Sequence, residues 1–497
     1  MTTLQEVQKL CLKRGIIFPT AEIYQGLSGF FDYGPIGASI KRRLENYWRS
    51  FFLKPLNILE MDGATILSEK VFKASGHLEN FIDPITHCKK CNATYRADEL
   101  IEQKIGKNVE GKTVGELTKL MRDNKIKCPK CGGELTDVRI FNLMLKTKIS
   151  PTGDQVGYLR PETAQNIFTA FPRIIKTYRI NLPFGIAQIG HVYRNEISPR
   201  RFLVRVREFN QFEIEWFFNP TEQGPKEDIK DRKIPILTRE AQEKGKEAEL
   251  ISVSDALEKG IIPNEWLAYF MVKEYEFYQS LGIPPEAIRF RHLLPEETPH
   301  YSSGNFDLEV KFDFGWKEVV SNAYRTDHDL KRHKKFSKVD FGFVVDGKKI
   351  VPHVVEPSFG VGRTIMAILF HSYRTEGRKW SWLKLNPIVV PYDAGVFPLV
   401  KKEEMIKKAN KIVDMLKYNF DVFYDEKDSI GKRYAKADEV GVPICITVDG
   451  QTLEDDTVTI RFRDTGKQIR VKIGELRIKI EKIVKEKDNK KINPFFS

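Results

Sequence analysis

The stretch YRNEISPRRFLVRVREF, Tyr193 to Phe209, gathers five arginines (Arg194, Arg200, Arg201, Arg205, Arg207) and two glutamates (Glu196, Glu208) around a single proline. Its residues alternate like two strands joined by a turn. Successive strand residues point to opposite faces. That puts Arg194 and Glu196 on one face of the first strand, and Arg205, Arg207, Phe209, Gln211 and Glu213 on one face of the second. The other face of the second strand carries Val204, Val206, Phe212, Ile214 and Trp216. One side reads as core, the other as a platform of arginines, a phenylalanine and a carboxylate. A plain surface hairpin would use such charges in cross-strand ion pairs, which leaves the one-sidedness unexplained. Planar arginine forks suit phosphate, a phenylalanine ring stacks on a base, and a glutamate accepts an exocyclic amine or holds a cation. The platform fits a nucleoside triphosphate lying on an antiparallel sheet.

Four of the six cysteines fall in two close pairs, Cys88 and Cys91 in HCKKC and Cys128 and Cys131 in KCPKCGG. Two C-x-x-C knuckles, the second followed by a glycine turn, have the spacing of a tetrahedral four-cysteine zinc site in a reducing compartment. The 36 residues between Cys91 and Cys128 exceed the usual zinc-ribbon gap, and a redox-sensitive or vestigial site is the ordinary alternative. Cys11 and Cys445 stand in apolar surroundings and read as core thiols. Between the knuckles, GKNVEGKT (Gly106 to Thr113) satisfies the phosphate-loop pattern G-x-x-x-x-G-K-[ST]. A working phosphate loop follows a buried strand, whereas ADELIEQKI has the charge pattern of a helix, so the match is set aside.

These groups need elements to hold them. Residues 1–85 begin with a short amphipathic helix, pass the glycine-rich turn GLSGFFDYGPIGASI, and enter a second amphipathic helix, IKRRLENYWRSFFLKP, which Pro55 ends. Residues 86–139 form a polar insertion around the cysteines. Residues 140–219 are strands and turns, with one helix signalled by RPETAQNIFTAFPRII. Residues 220–300 read as a helical insertion that opens with a Lys- and Glu-rich, solvated stretch to about 260. Residues 301–380 return to strands and finish in the apolar helix TIMAILFHSY. Residues 381–497 alternate strand and helix, the pattern of a separate α/β domain, and end in a charged tail, KIEKIVKEKDNKK, that reads as a solvated helix.

The length of 497 residues suits roughly three or four units. With 41% hydrophobic and 30% charged residues the chain reads as a soluble protein, and no apolar run nears the roughly 20 residues of a membrane span. The N-terminus lacks the zones of a signal peptide, which predicts a cytoplasmic protein with no membrane partner. A net charge of +13 suits a polyanionic partner.

The segment YRNE...RVREF resembles motif 2 of the class II aminoacyl-tRNA synthetases, an arginine and a glutamate two apart followed by an arginine-bearing loop. PSFGVGRTIMAIL is similar to motif 3, small residues leading to Arg363 at the start of an apolar helix, and GASIKRRLENYWRSFFLKP to motif 1, a long helix and strand ending in proline. FFDYGPIG, VFKASGH, FNLM, YLRPETAQ, RNEISPR, REFNQFEIEWF, YRTDHDL and EPSFGVGR follow in order. Together they resemble the glycyl-tRNA synthetases of the homodimeric type, from about Tyr24 into the C-terminal domain.

The resemblance implies an α+β fold: an antiparallel-sheet catalytic domain flanked by helices, a zinc-ribbon-like insertion, and a C-terminal α/β anticodon-binding domain. It implies activation of glycine with ATP and transfer to the 3′ end of tRNA(Gly) by a homodimer built through motif 1. In the ATP site, Arg194 would hold the α-phosphate, Glu196 the adenine edge and Phe209 the adenine ring. Arg363 would clamp the γ-phosphate with Arg205, so that Arg194 and Arg363 stabilise the charge of the reaction. Asn195, Val206, Val319, Gly360 and Gly362 complete that set, and Glu318 would bind Mg²⁺, since a carboxylate suits a hard cation bridging phosphates. Arg96, Glu162, Glu213, Glu356 and Ser358 would surround glycine, the acids facing its ammonium and the arginine its carboxylate. Arg200 and Arg201, in a mobile turn beside Pro199, would be left for the acceptor end of the tRNA. The chain departs from the family at Ser321 and Asn322, where a glycine-rich approach to the RTD segment is common. In the C-terminal domain, Lys432, Arg433 and Tyr434 and the hairpin RFRDTGKQIR are RNA-contact candidates, each about as well read as plain surface.

Overall fold

A computed structural model describes residues 2–483 apart from 108, 110, 223, 299–301 and 346. Its centre is a nine-stranded sheet of β1 (Leu59–Met61), β2 (Phe184–Tyr193), β3 (Glu208–Phe218), β4 (Lys233–Leu237), β5 (Glu249–Ser252), β6 (Ile288–His292), β7 (Asn305–Phe312), β8 (Gly315–Thr326) and β9 (His353–Gly360). The spatial order is β5-β4-β6-β7-β8-β9-β3-β2-β1. Every neighbouring pair is antiparallel except β1 with β2 and β4 with β6.

The helices used below are α1 (Leu4–Arg14), α2 (Pro35–Trp48), α3 (Ala97–Ile105), α4 (Ala164–Tyr178), α5 (Glu265–Ser280), α6 (His328–Ser337) and α7 (Val361–Ser372). Helices α2, α5 and α7 lay their apolar faces on the sheet, where Trp48 meets Phe212 with ring centroids 4.9 Å apart and Phe277 meets Phe359 at 6.1 Å. This packing holds β3 and β9 in place from behind; on their opposite face α4 covers one end, with Phe171 against Phe217 at 4.7 Å, and the other end is left open.

Pro55 does not end the second helix. Past α2 the chain makes a wide turn, Arg49–Leu53, in which the Lys54 N–H reaches the Arg49 carbonyl, and a further helical turn, Lys54–Leu56, follows. At the start of that turn Pro55 has no N–H to satisfy, and left-handed Asn57 (φ 49°) stops the helix instead.

The stretch to 260, expected as a solvated insertion, extends the central sheet. KIPIL and ELIS form β4 and β5, and Ile229, Ile234, Ile236, Val253 and Ala256 are buried in the main core. The short strands bury isoleucines at alternate positions, and the lysines and glutamates around them mask that pattern in composition. The cysteine insertion begins slightly earlier than expected, because Ile82–His87 pairs with both Thr94–Arg96 and Arg139–Asn142.

The C-terminal domain is a five-stranded sheet in the order β11-β10-β12-β13-β14, with β10 (Ala394–Pro398), β11 (Val422–Tyr424), β12 (Ile444–Val448), β13 (Thr457–Phe462) and β14 (Gln468–Lys472). Helices α8 (Glu403–Leu416) and α9 (Ile430–Glu439) pack with it, along with a short helix at Gly450–Asp455. Ion pairs join it to the rest of the chain at separate points. Arg43 of α2 forks onto Asp393, both bonds 2.9 Å, and reaches Asp421 at 2.7 Å. Lys13 and Arg14 of α1 both bind Glu439. Of the tail expected as a solvated helix, Lys479 to Lys491, residues from 484 onward lie outside the described ones, and in its described part Ile480 is buried in the C-terminal core. No helix among the described residues is long and apolar enough to cross a membrane.

Ile236→Ala should destabilise the central-sheet domain by about 2–5 kcal/mol, the usual cost of deleting a buried isoleucine side chain. Urea unfolding measures this, and an unchanged midpoint would return the segment to a solvated insertion.

Candidate active site

The open face of the sheet is organised by strand register. Glu213 of β3 lies opposite Ser358 of β9, which lies opposite Ser321 of β8, and two residues away Glu356 lies opposite Ala323. Phe209, Gln211 and Glu213 line a cavity of about 500 Å³ together with these residues, while Phe212, Ile214 and Trp216 enter the core, as alternation requires. The strands stop at Tyr193 and resume at Glu208, however, so 194–207 is a loop and not a hairpin of paired strands. Freed from alternation, Val206, expected in the core, lines the cavity.

That loop is held from several sides. Arg194 N–H donates to the Arg207 carbonyl at 2.9 Å, and Arg207 N–H to the Gly29 carbonyl at 2.8 Å. Gly29, at φ +84°, could not carry a Cβ, which would come within 2.7 Å of Pro199. Arg201 and Phe202 take left-handed φ values of 57° and 54°, a conformation that costs L-residues about 1–2 kcal/mol each. Offsetting contacts hold them: Phe202 is buried against Phe31 at 5.4 Å, and Arg201 lies over the Phe314 ring at 4.9 Å. Arg200 pairs with Glu99 at 2.8 Å. The two arginines expected to be free in a mobile turn are therefore both engaged, because neighbouring elements supply an acid and a ring.

One end of the cavity is acidic. Glu213, 1% exposed, accepts from Thr163 N–H at 2.8 Å and from the Ser358 hydroxyl at 2.9 Å. Thr163 and Glu162 are held there by Arg160, whose buried guanidinium donates to the His191 and Gly63 carbonyls, each at 2.8 Å. A Cβ at Gly190 would strike that guanidinium at 2.1 Å, which is why β2 carries a glycine there. Glu162 takes a bond from Gln165 at 2.8 Å and lies 3.4 Å from His77 Nε2. Burial opposes its ionisation, yet His77 and Arg325 hold its carboxyl well below the usual range. Arg325, 1% exposed, grips Asp329 at 2.7 and 3.0 Å and Glu356 at 2.6 Å. Burial, with Glu213 nearby, still pushes Glu356 well above a normal carboxylate. Behind it Glu215 is fully buried with neither oxygen hydrogen-bonded, and burial beside Glu356 pushes its carboxyl up as well. The acidic end is thus a desolvated set of carboxyls with an electrostatic demand for one more cation.

The other end carries the arginines. Arg194 sits between the Phe81 and Phe209 rings, 5.4 Å from each, with its Nε donating to the Pro161 carbonyl at 3.1 Å. Arg363, in the first turn of α7, donates to the Val204 carbonyl at 3.1 Å and pairs with Glu318 at 2.9 Å. Burial would raise the Glu318 carboxyl, but Arg363, with Lys317 and Arg194 near it, brings it down to about 2. Asp307 lines the same end and is pushed up by burial next to Glu318. A charged carboxylate beside a protonatable one suits a hard divalent cation better than bare arginines would. Glu196 and Arg205, 3.7 Å apart, line the cavity as well.

Outside the cavity the four insertion cysteines converge. Their sulfurs lie within 4.8 Å of one another, with Cys88 and Cys131 at 3.5 Å and Cys91 and Cys128 at 3.7 Å. A tetrahedral zinc with bonds of about 2.3 Å sets sulfurs about 3.8 Å apart, so the set fits that ion. Gly133 passes so close that a Cβ would lie 2.9 Å from Cys88 Sγ. Tyr95 O–H donates toward Cys128 Sγ at 3.2 Å, a bond that suits a thiolate. Helix α3, as expected, precedes Gly106, so the phosphate-loop match has no strand under it.

Of the residues singled out in the sequence, Glu162, Arg194, Glu196, Arg205, Val206, Phe209, Glu213, Glu318, Glu356, Ser358, Gly360, Gly362 and Arg363 line this one cavity. Three do not. Asn195 turns its N–H to the Leu143 carbonyl at 2.8 Å, and Val319 is buried in the core. Arg96 is drawn into the insertion by Asp83 at 3.2 Å and Asp98 at 2.5 Å. Sequence reasoning gave no role to His77, Phe81, Gln165, Asp307, Arg325 or Asp329. The four-residue spacing of Arg325 and Asp329 in YRTDHDL was a visible ion-pair signal, whereas Phe81 and Asp307 had none. In the C-terminal domain Arg433 is buried, donating to the Asp428 carbonyl at 2.9 Å, and Tyr434 bonds Thr447 at 2.6 Å. Arg461 forks onto Asp438 at 2.9 and 3.0 Å, and Arg463 is 2% exposed. Of these RNA-contact candidates Lys432, its side chain 74% exposed, and the hairpin tip with Lys467 and Arg470 stay on the surface.

Residues 148–233 match the class II tRNA synthetase core domain (G, H, P, S and T), and residues 393–483 match the anticodon binding domain. Prolyl-tRNA synthetase from Cryptosporidium parvum superposes with a TM-score of 0.59 at 15% identity, over 98% of this chain and 78% of its own, which shows a common fold. A glycine-tRNA ligase of Pyrococcus furiosus is 41% identical over 559 aligned positions, covering 96% of this chain and 98% of its own. One of Methanocaldococcus jannaschii is 39% identical, covering 97% and 99%. Identity of this order along nearly the whole of both partners, on a class II core with its cavity intact, means that the chain belongs to the glycine-tRNA ligase family of class II aminoacyl-tRNA synthetases.

Proposed function

We propose that this cavity is where the chain, a glycine-tRNA ligase, performs both steps of its reaction. The observation that carries the reading is the polarity of the cavity, with buried carboxyls around Glu213 and Glu356 at one end and Arg194 and Arg363 at the other. Glycine's ammonium meets Glu162, Glu213 and Glu356 at the acidic end, with Ser358 beside it. ATP lies across Phe209, its adenine edge at Glu196 and its phosphates on Arg194, Arg205 and Arg363. A glycine carboxylate oxygen then attacks the α-phosphorus, the bond to the bridging β-oxygen breaks, and pyrophosphate leaves. In the second step a ribose hydroxyl at the tRNA 3′ end attacks the carbonyl carbon and AMP leaves. Neither step requires a protein nucleophile, so positioning and charge stabilisation do the work. Mg²⁺, held by Glu318 with Asp307 at the same end, would supply charge neutralisation on the phosphates.

A larger amino acid is rejected because its β-carbon would meet the wall of the acidic end, an overlap stronger than the discrimination a missing methylene gives. The tRNA also meets the C-terminal domain, and two copies pair through motif 1 around α2, in the cytoplasm. Zn²⁺ on Cys88, Cys91, Cys128 and Cys131 fastens the insertion.

Purified protein should catalyse glycine-dependent exchange of label between pyrophosphate and ATP, with alanine and serine giving rates at background. No exchange with glycine, while ATP still binds, would leave a regulator built on a synthetase fold. Glu213→Gln and Glu356→Gln should each raise the KM for glycine about tenfold or more, since each removes a partner worth about 1.4 kcal/mol. The KM for ATP should barely move, and equal rises in both constants would refute the assignment of the two ends. Metal analysis of protein prepared without chelators should find one zinc per chain, lost in Cys128→Ser. Zinc-free wild-type protein of full stability would remove the structural role.

A further inference from the structure

Glu99 lies in the first turn of α3, in the cysteine insertion, and nothing in the reaction described above calls for it. Its carboxylate nevertheless takes the Arg200 guanidinium on Oε2 and the Arg205 guanidinium on Oε1, both at 2.8 Å. These arginines flank the 201–204 turn, where their backbones pair across an isolated bridge. One carboxylate thus clasps both stems of the loop that carries the phosphate-facing arginines. Arg205 lines the cavity and Glu99 does not, so the acid grips the arginine from outside and leaves its inner face to the ligand. On the cavity side the nearest acid to Arg205 is Glu196, at 3.7 Å.

The clasp is itself anchored. Arg96 lies 3.9 Å from Glu99 and is fixed by Asp83 and Asp98. Tyr95, next to Arg96, bonds the Cys128 sulfur. A continuous line of contacts runs from the four-cysteine cluster through Tyr95, Arg96 and Glu99 to Arg205. The turn that Glu99 braces also holds two left-handed residues, Arg201 and Phe202, which would relax if the stems parted.

We infer that Glu99 is a positioning residue for the adenylation step, setting Arg205 for the ATP phosphates from the cysteine insertion. This rests on the reading of the cavity as the ATP site. Glu99 touches no reacting atom and acts through Arg205 alone. Its loss therefore weakens ATP and leaves glycine, bound at the far end by Glu213 and Glu356, as it was.

The test is pyrophosphate exchange by full-length Glu99→Gln and Glu99→Asp, with KM determined separately for ATP and glycine and thermal unfolding recorded for each. Removing one partly exposed ion-pair partner is worth about 1 kcal/mol, so the KM for ATP should rise roughly fivefold in Glu99→Gln. The KM for glycine and the unfolding midpoint should hold, and Glu99→Asp should recover part of the loss. An unchanged or lowered KM for ATP would overturn the inference, as would ATP and glycine constants that rise together with a lower midpoint. Wild-type protein run in parallel separates the two ideas: if it fails to exchange with glycine, the reading of the cavity falls, whereas a normal wild type beside an unaltered Glu99→Gln overturns only the role of Glu99.

Discussion

The structure depends on one buried guanidinium. Arg325 is bound by Asp329, reaches Glu356, and lies 3.9 Å from Glu162, so it ties α6, β9 and the loop before α4 to one point. Carboxyls this close and this dry repel one another and draw up protons, as Glu356 and Glu215 do even with Arg325 among them. Removing one member of such a buried set costs about 3–5 kcal/mol, because the partners stay behind uncompensated. The folded chain accepts that risk in return for a floor of carboxyls held in place around Arg325. Glu215, fully buried with unbonded oxygens, marks the limit of what Arg325 can compensate.

The two ends of the cavity solve opposite problems with the same tools. At the acidic end, arginine and histidine restrain carboxyls that await a cation. At the other, Glu318 restrains Arg363 and ring faces shelter Arg194, so that cations await a polyanion. In each case the side chains are pre-aligned by their own neighbours. The antiparallel register of β3, β9 and β8 places the acidic floor, because a one-residue slip would turn Glu213 into the core and Phe212 into the cavity.

Much of this was legible in the chain itself. The alternation of REFNQFEIEWF gave the faces of β3, and the paired C-x-x-C knuckles gave the cysteine cluster, because both signals are local. What escaped was non-local. Arg194 to Arg207 looked like strand, but the loop is shaped by Ser28, Gly29 and Glu99, which lie far away in sequence. Arg96 was read as a ligand-facing arginine, yet acids within its own insertion claim it. Arg433 was read as surface and is buried by backbone carbonyls. Pro55 was read as a helix stop, and the wide turn ahead of it removed the conflict. Charge-rich residues 220–260 hid two strands because the burial of Ile234 and Ile236 outweighs the polarity around them. Composition averages over faces, whereas folding does not.

The straps between the domains carry a consequence of their own. Arg43 of α2 binds Asp393 and Asp421, just ahead of β10 and β11, and Lys13 and Arg14 of α1 bind Glu439 at the end of α9. Two separated attachments oppose swinging of the domain about either one. The C-terminal domain therefore stands at a preset span from the cavity, like the second jaw of a caliper. Any ligand long enough to reach both jaws would be gauged for length and bend by the span between them.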